Sequence, residues 1–175
     1  YTNKNLVGIP WRVALALQAD GWWLRSDIIW HKPNPMPESP KDRPTNCYEH
    51  LFLLTKSPHY YYDSDTIREP LAEGSLKRHT YKFGGKAQGN NNVKGTESRN
   101  RRNVWVLPTQ SYRGAHFATF PEKLVEPCIL AGCPPGGLVL DPFAGSGTTG
   151  VVAQRFGRPA ILIEASAAYC ALAVE

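Results

Sequence analysis

Hydrophobic residues in this chain fall into short runs punctuated by Gly and Pro, and the runs are of two kinds. Pro10 suits the first turn of a helix that carries Val13, Leu15 and Leu17 to Ala19 and stops at Gly21. The compact apolar run Ile28 to Trp30 reads as a buried strand, and Leu51 to Thr55 as the next one. Between them, prolines at 33, 35, 37, 40 and 44 predict a stiff, extended connection that is neither helix nor central strand. Val104 to Leu107 reads as a short strand. Pro121 opens a helix reaching about Ala131, with an interruption expected at Pro127 and Gly132 as its cap. The strands Leu138 to Asp141 and Ala160 to Glu164 then alternate with helices over Thr148 to Phe156 and Ser166 to Val174. Alternation of this kind predicts an α/β fold with mostly parallel strands. No internal repeat is visible.

A chain of 175 residues, 42% hydrophobic and 11% aromatic, is long enough for one domain with a core of its own. No apolar run reaches the roughly 18 residues of a membrane span, and the polar start Tyr1-Thr-Asn-Lys-Asn5 is not a signal peptide. Cys47, Cys128, Cys133 and Cys170 form no C-x-x-C pair and no set with zinc spacing, which predicts reduced thiols and no metal.

The formal charge of +5 is unevenly spread. Between residues 77 and 102, Lys77, Arg78, Lys82, Lys86, Lys94, Arg99, Arg101 and Arg102 face the single acid Glu97, while Gly84-Gly85 and Asn90-Asn-Asn92 break any regular element. Such a loop can neutralise backbone phosphates, and its Asn, Gln and Arg side chains can read base edges. A solvated, partly disordered insertion would have the same composition.

The densest chemistry lies at Leu138-Val-Leu-Asp-Pro-Phe-Ala-Gly-Ser-Gly-Thr-Thr-Gly150, an apolar strand running through Asp141 into a glycine turn and a helix. Gly145 and Gly147 let the backbone approach a ligand, and the free N–H groups opening the helix favour an anionic group. Gly145-Ser-Gly147-Thr-Thr-Gly150 also fits the dinucleotide pattern G-x-G-x-x-G, with Glu164 where a ribose-binding acid belongs. A P-loop is excluded because no Lys follows the glycines. In a dinucleotide domain this turn comes early, yet only about ten residues follow Glu164, so the remaining strands must precede it.

This permuted order, together with Asp141-Pro-Phe-Ala-Gly-Ser-Gly-Thr-Thr149, resembles the DNA amino-methyltransferases that modify adenine N6 or cytosine N4, in the beta-class order of parts. Leu24-Arg-Ser-Asp-Ile-Ile-Trp-His-Lys-Pro-Asn34 with Pro35-Met-Pro-Glu-Ser39 is similar to the family's strand and proline-rich loop beside the active site. Arg43-Pro-Thr-Asn-Cys-Tyr-Glu-His-Leu-Phe-Leu-Leu54 is similar to the following loop and strand, with Tyr48-Glu49 where the family often has His-Glu. Ala115-His-Phe-Ala-Thr-Phe-Pro-Glu-Lys-Leu124 resembles the segment closing over the methionine end of the cofactor. One motif is missing. The tetrad of Asp, Asn or Ser, then Pro-Pro and an aromatic residue, is absent, because Pro134-Pro135 is followed by Gly136-Gly137.

The resemblance implies a Rossmann-like S-adenosylmethionine-dependent methyltransferase fold, expected to be incomplete at the N-terminus, so that the chain reads as a fragment. Residues 1–66 would be the C-terminal part of the catalytic half, 67–114 a basic target-recognition insertion, and 115–175 the cofactor-binding half. Thr119, Phe120, Pro121, Asp141, Pro142, Phe143, Gly145, Gly147, Thr148 and Glu164 would hold S-adenosylmethionine, and the eight basic residues would contact double-stranded DNA. No catalytic residue is assigned. The protein would be cytoplasmic, bacterial or phage-encoded, with no membrane or metal partner. The reaction implied is direct transfer of the sulfonium methyl to an exocyclic amine of a flipped base. Taken singly, Asp141 could merely cap a helix, Glu164 could be an exposed strand end, and Phe117, Phe120 and the tryptophans could be packing residues. Pro127-Cys128 matches the Pro-Cys of carbon-5 methyltransferases, but it precedes the glycine turn, so Cys128 reads as a core residue. A DNA-binding module without catalysis, a nicotinamide-dependent oxidoreductase and an RNA acceptor remain alternatives.

Overall fold

The computed structural model describes residues 3–72, 97–110 and 120–173. Helix α1 (Ile9–Ala19) begins with Pro10 in its first turn, as the proline predicts. Its apolar residues do not share one buried face. Val13 and Leu15 are exposed and Ala14 is the buried residue, because a spacing of two points successive side chains to different sides of a helix. The helix makes its side-chain contact through Trp11, whose ring meets His50 and Phe52 edge-on.

Strands β1 (Trp23–His31) and β2 (Tyr48–Thr55) are longer than their apolar centres and pair antiparallel, from Trp23 opposite Thr55 to His31 opposite Tyr48. This antiparallel pair departs from the expected, mostly parallel order. A parallel neighbour requires a crossover, usually a helix, and the proline-rich stretch between β1 and β2 cannot form one, so the chain returns beside the strand it left. β3 (Glu69–Pro70) and β4 (Ser98–Arg99) form a small antiparallel pair that no apolar run announces. β5 (Val104–Val106) joins the other side of β1 in parallel, giving the order β2-β1-β5. β6 (Val139–Asp141) and β7 (Ala160–Leu162) pair in parallel.

Helix α2 (Glu122–Gly132) runs through Pro127 without the interruption expected there. The pyrrolidine removes one backbone bond, but its ring is buried in the core, which offsets the loss. Helices α3 (Thr148–Arg155) and α4 (Ala167–Ala173) flank β7 in sequence.

Two apolar clusters hold the layers together. Val125 and Ile129 of α2 pack on Val152 and Ala153 of α3. Trp30 of β1, Trp105 of β5 and Leu124 of α2 form the second, and Phe120 packs against both. The two indoles bury their polar ends on carbonyls: Trp30 Nε1 donates to Leu107 O at 2.8 Å and Trp105 Nε1 to Arg102 O at 2.8 Å. Among the described residues, β2 pairs only with β1 and β6 only with β7, so each of these two strands has one unpaired edge.

Val152 is completely buried, whereas its neighbour Val151 is exposed. Val152→Ala is expected to cost about 2 kcal/mol of stability and Val151→Ala less than about 0.5 kcal/mol, measured as the shift in urea denaturation midpoint.

Candidate functional site

The turn after β6 is organised by two carboxylates. Asp141, the last residue of β6, accepts the Phe143 N–H on Oδ1 at 3.0 Å. Glu164, two residues beyond β7, accepts the Gly145 N–H on Oε2 and the Ser166 N–H on Oε1, each at 2.8 Å. One side chain thus ties the glycine turn to the start of α4. Those donors hold the Glu164 carboxyl below its ordinary range, Ser166 more strongly than Gly145. Ala144 N–H adds a backbone bond to Ile163 O at 3.0 Å.

Gly147 caps α3 with a left-handed φ of 85°, and a Cβ there would lie 3.1 Å from Ala173 Cβ, so only glycine fits without strain. No side chain caps this helix, and its first backbone bond runs from Val151 N to Gly147 O at 3.1 Å. The N–H groups before Val151 therefore have no carbonyl within the helix and are available to an acceptor.

Two cavities adjoin the turn. The larger, about 760 Å³, opens between the free edges of β2 and β6 and is walled by Trp30, His50, Phe120, Cys128, Asp141 and Thr149 among others. A second, about 460 Å³, lies under α3 against Gly147, Gly150, Arg158 and Leu162, and neither carboxylate lines it. Of the residues singled out by resemblance, Phe120 and Asp141 face the larger cavity and buried Pro121 stands at the start of α2. Pro142 and Phe143 are exposed in the turn, and Gly145, Gly147, Thr148 and Glu164 frame it. Thr119 lies outside the described residues.

Sequence reasoning took Trp30 as a packing residue, in keeping with its burial, and gave no role to His50 or Thr149. Only Thr149 carried a signal, as part of the glycine motif. Trp30 and His50 reach the cavity because β2 folds back on β1, where His50 Nδ1 also contacts Asp27 Oδ1 at 2.9 Å. Cys128, expected in the core, is instead exposed, on the side of α2 that faces this cavity. Crowding around its sulfur pushes the thiol up to about 11, so a thiolate nucleophile is disfavoured, as its place before the turn implies.

Of the eight basic residues expected to meet a polyanion, Lys77, Arg78, Lys82, Lys86 and Lys94 lie outside the described residues. Arg99 and Arg102 converge on one oxygen of Glu69, Nε to Oε1 at 2.7 and 2.6 Å, pinning β4 and the residues after it to β3. Burial raises the Glu69 carboxyl, but Arg102 and Arg99 outweigh it and the net effect is downward. Arg101 is different, since its guanidinium lies over the Trp105 ring, 4.7 Å from the centroid.

Comparison with known proteins adds a family and a fold. A family model described as DNA methylase matches residues 1–175. The chain is 52% identical over 172 residues to type II methyltransferase M.Cfr9I of Citrobacter freundii, covering 98% of this chain and 50% of that protein. To type II methyltransferase M.SmaI of Serratia marcescens it is 48% identical over 172 residues, covering 98% and 52%. The chain thus spans about half the length of the curated relatives it matches. Among solved structures, PvuII DNA methyltransferase (cytosine-N4-specific) superposes with a TM-score of 0.72 at 23% identity, over 99% of this chain and 59% of that one. The M1.HpyAVI–SAM complex gives 0.62 at 21%, over 97% and 70%.

Because the folded Glu164 carboxyl lies below its ordinary value of 4.5, its contribution to stability is complete above that pH and is lost as pH falls through the folded value. Thermal melting followed from about pH 6 to pH 3 should therefore fall less steeply for Glu164→Gln than for the parent chain.

Proposed function

The chain belongs to the DNA methylase family, and from that premise we propose that its protein is a site-specific DNA methyltransferase. It transfers a methyl group from S-adenosylmethionine to the exocyclic amine of adenine (N6) or cytosine (N4). The observation that carries this reading is the Glu164 carboxylate spanning Gly145 and Ser166 beside Asp141 and the 760 Å³ cavity.

The residues present fit the cofactor. Glu164 uses one acceptor direction on each oxygen for the backbone and keeps another for a ribose hydroxyl. Gly147 leaves room where a Cβ would intrude, and the free N–H groups at the start of α3 suit a carboxylate. Asp141 keeps an oxygen for a cationic amine, while Phe120 gives the cavity an apolar wall. Thr119, Pro121, Pro142, Phe143, Gly145 and Thr148 complete the cradle that the family resemblance implies.

S-adenosylmethionine supplies an electrophilic methyl group on a sulfonium. The contribution of this chain is to bind it, fix its orientation and keep water from the face it presents. The tetrad that would hold the acceptor amine is not among these 175 residues. Residues 67–114 serve target recognition on duplex DNA, with 115–175 as the cofactor-binding half. Arg99 and Arg102, tied to Glu69, shape that segment.

Calorimetric titration of the chain should give saturable binding of S-adenosylmethionine and none of NAD. Asp141→Ala should weaken the former about 10- to 100-fold, the loss expected for a charged hydrogen bond. Binding of NAD instead, or of neither compound, would remove the cofactor assignment. The 175-residue chain alone should transfer methyl groups to duplex DNA at no more than background, read as incorporated label.

A further inference from the structure

Helix α2 separates two cavities. Leu124, Val125, Cys128 and Ile129 face the one beside the glycine turn. Lys123, Glu126, Pro127 and Leu130 face another, of about 250 Å³, closed on its far side by Ile67, Arg68, Arg101 and Leu107. The charges of this second cavity are unbalanced. Glu126, the acid in its wall, is shared with Arg155 outside it at 3.3 Å. Arg68 is spent partly on Ser98, through Nε to Oγ at 2.9 Å and Nη2 to O at 2.8 Å, and meets exposed Asp65 at 3.3 Å.

Arg101 has no such outlet. Its Nε is buried without a hydrogen-bond partner, and among the described residues the guanidinium makes neither hydrogen bond nor ion pair, only its stack on Trp105. Lys123, across the cavity, is likewise without a hydrogen-bond or ion-pair partner among the described residues. A guanidinium Nε–H buried without an acceptor is unfavourable unless one joins it. The planar fork suits the oxygens of a phosphate, and Lys123 across the cavity adds a second cation for the same group.

We propose that Arg101, Lys123 and Arg68 form a phosphate-binding pocket on the outer face of α2 that seats one backbone phosphate of the DNA duplex. The assignment to DNA rests on the methyltransferase reading, and the pocket itself rests on the unpaired guanidinium. Such a contact carries no sequence information. It fixes the register of the basic segment, to which Arg101 belongs, against the helix that also walls the cofactor-side cavity.

The test follows the Arg101 Nε–H resonance in the 175-residue chain, assigned by its loss in Arg101→Lys, during titration with inorganic phosphate and with a mixed-sequence duplex. Duplex affinity is measured in parallel from about 50 to 200 mM salt. The expected result is a saturable shift of that resonance with duplex and a weaker one with phosphate. Arg101→Gln and the exposed-site variant Lys123→Gln should each flatten the slope of log K against log salt by about 0.9 and leave S-adenosylmethionine affinity unchanged. A duplex that binds without moving the resonance, or with unaltered slope in a Lys123→Gln protein that melts like the parent, overturns the pocket. A shift with phosphate and none with duplex overturns DNA as its source. Failure of the methyltransferase reading is seen separately, as loss of S-adenosylmethionine binding in the parent chain.

Discussion

The turn that makes this fold useful is tied to the segment after β7 by one carboxylate. Glu164 follows β7, yet its oxygens reach back 19 residues to Gly145 and forward to Ser166. The glycines of the turn have no side chains with which to hold themselves, and Gly147 takes a left-handed conformation that glycine adopts without strain. By accepting both N–H groups, Glu164 fixes the spacing between the β6 turn and the start of α4. The same donors favour its ionised form and hold the carboxyl below its ordinary range.

The second organising element is α2. Its two faces are wedged between the clusters around Val152 and around Trp30, and Phe120, just before it, packs against both. Pro127 is tolerated here because burying an apolar ring against the core offsets one missing backbone bond, whereas the same residue on a solvated helix would only weaken it. The fold is thus one in which a helix, rather than a continuous sheet, links the two sets of strands among the described residues.

Much of this was legible in the residues. The glycine turn, the strands on either side of α3 and the helix boundaries follow from Gly, Pro and apolar runs whose local physics is decisive. α1 was placed within a residue, but its buried side was not legible, since Val13, Leu15 and Leu17 repeat every two positions and a helix does not. β3 and β4 were invisible because two-residue strands of charged and polar side chains carry no periodic signal; what holds them is Glu69 bridging Arg99 and Arg102 across 30 and 33 positions. The same pairing explains why counting cations gave an incomplete account of this segment. Charges that look equivalent in sequence divide into those already neutralised by a neighbour and those, such as Arg101, that are not. Trp30 and His50 belong to the larger cavity through tertiary pairing that no spacing rule encodes.

The unpaired side of β2 has a practical consequence. Eight residues long, with the apolar run Leu51-Phe-Leu-Leu54 and neither proline nor lysine within it, this strand is a template for its own kind. Copies of the chain brought together in concentrated solution have an alternative partner in one another. The free side of β2 is accordingly a route to self-association that does not require the core behind it to unfold.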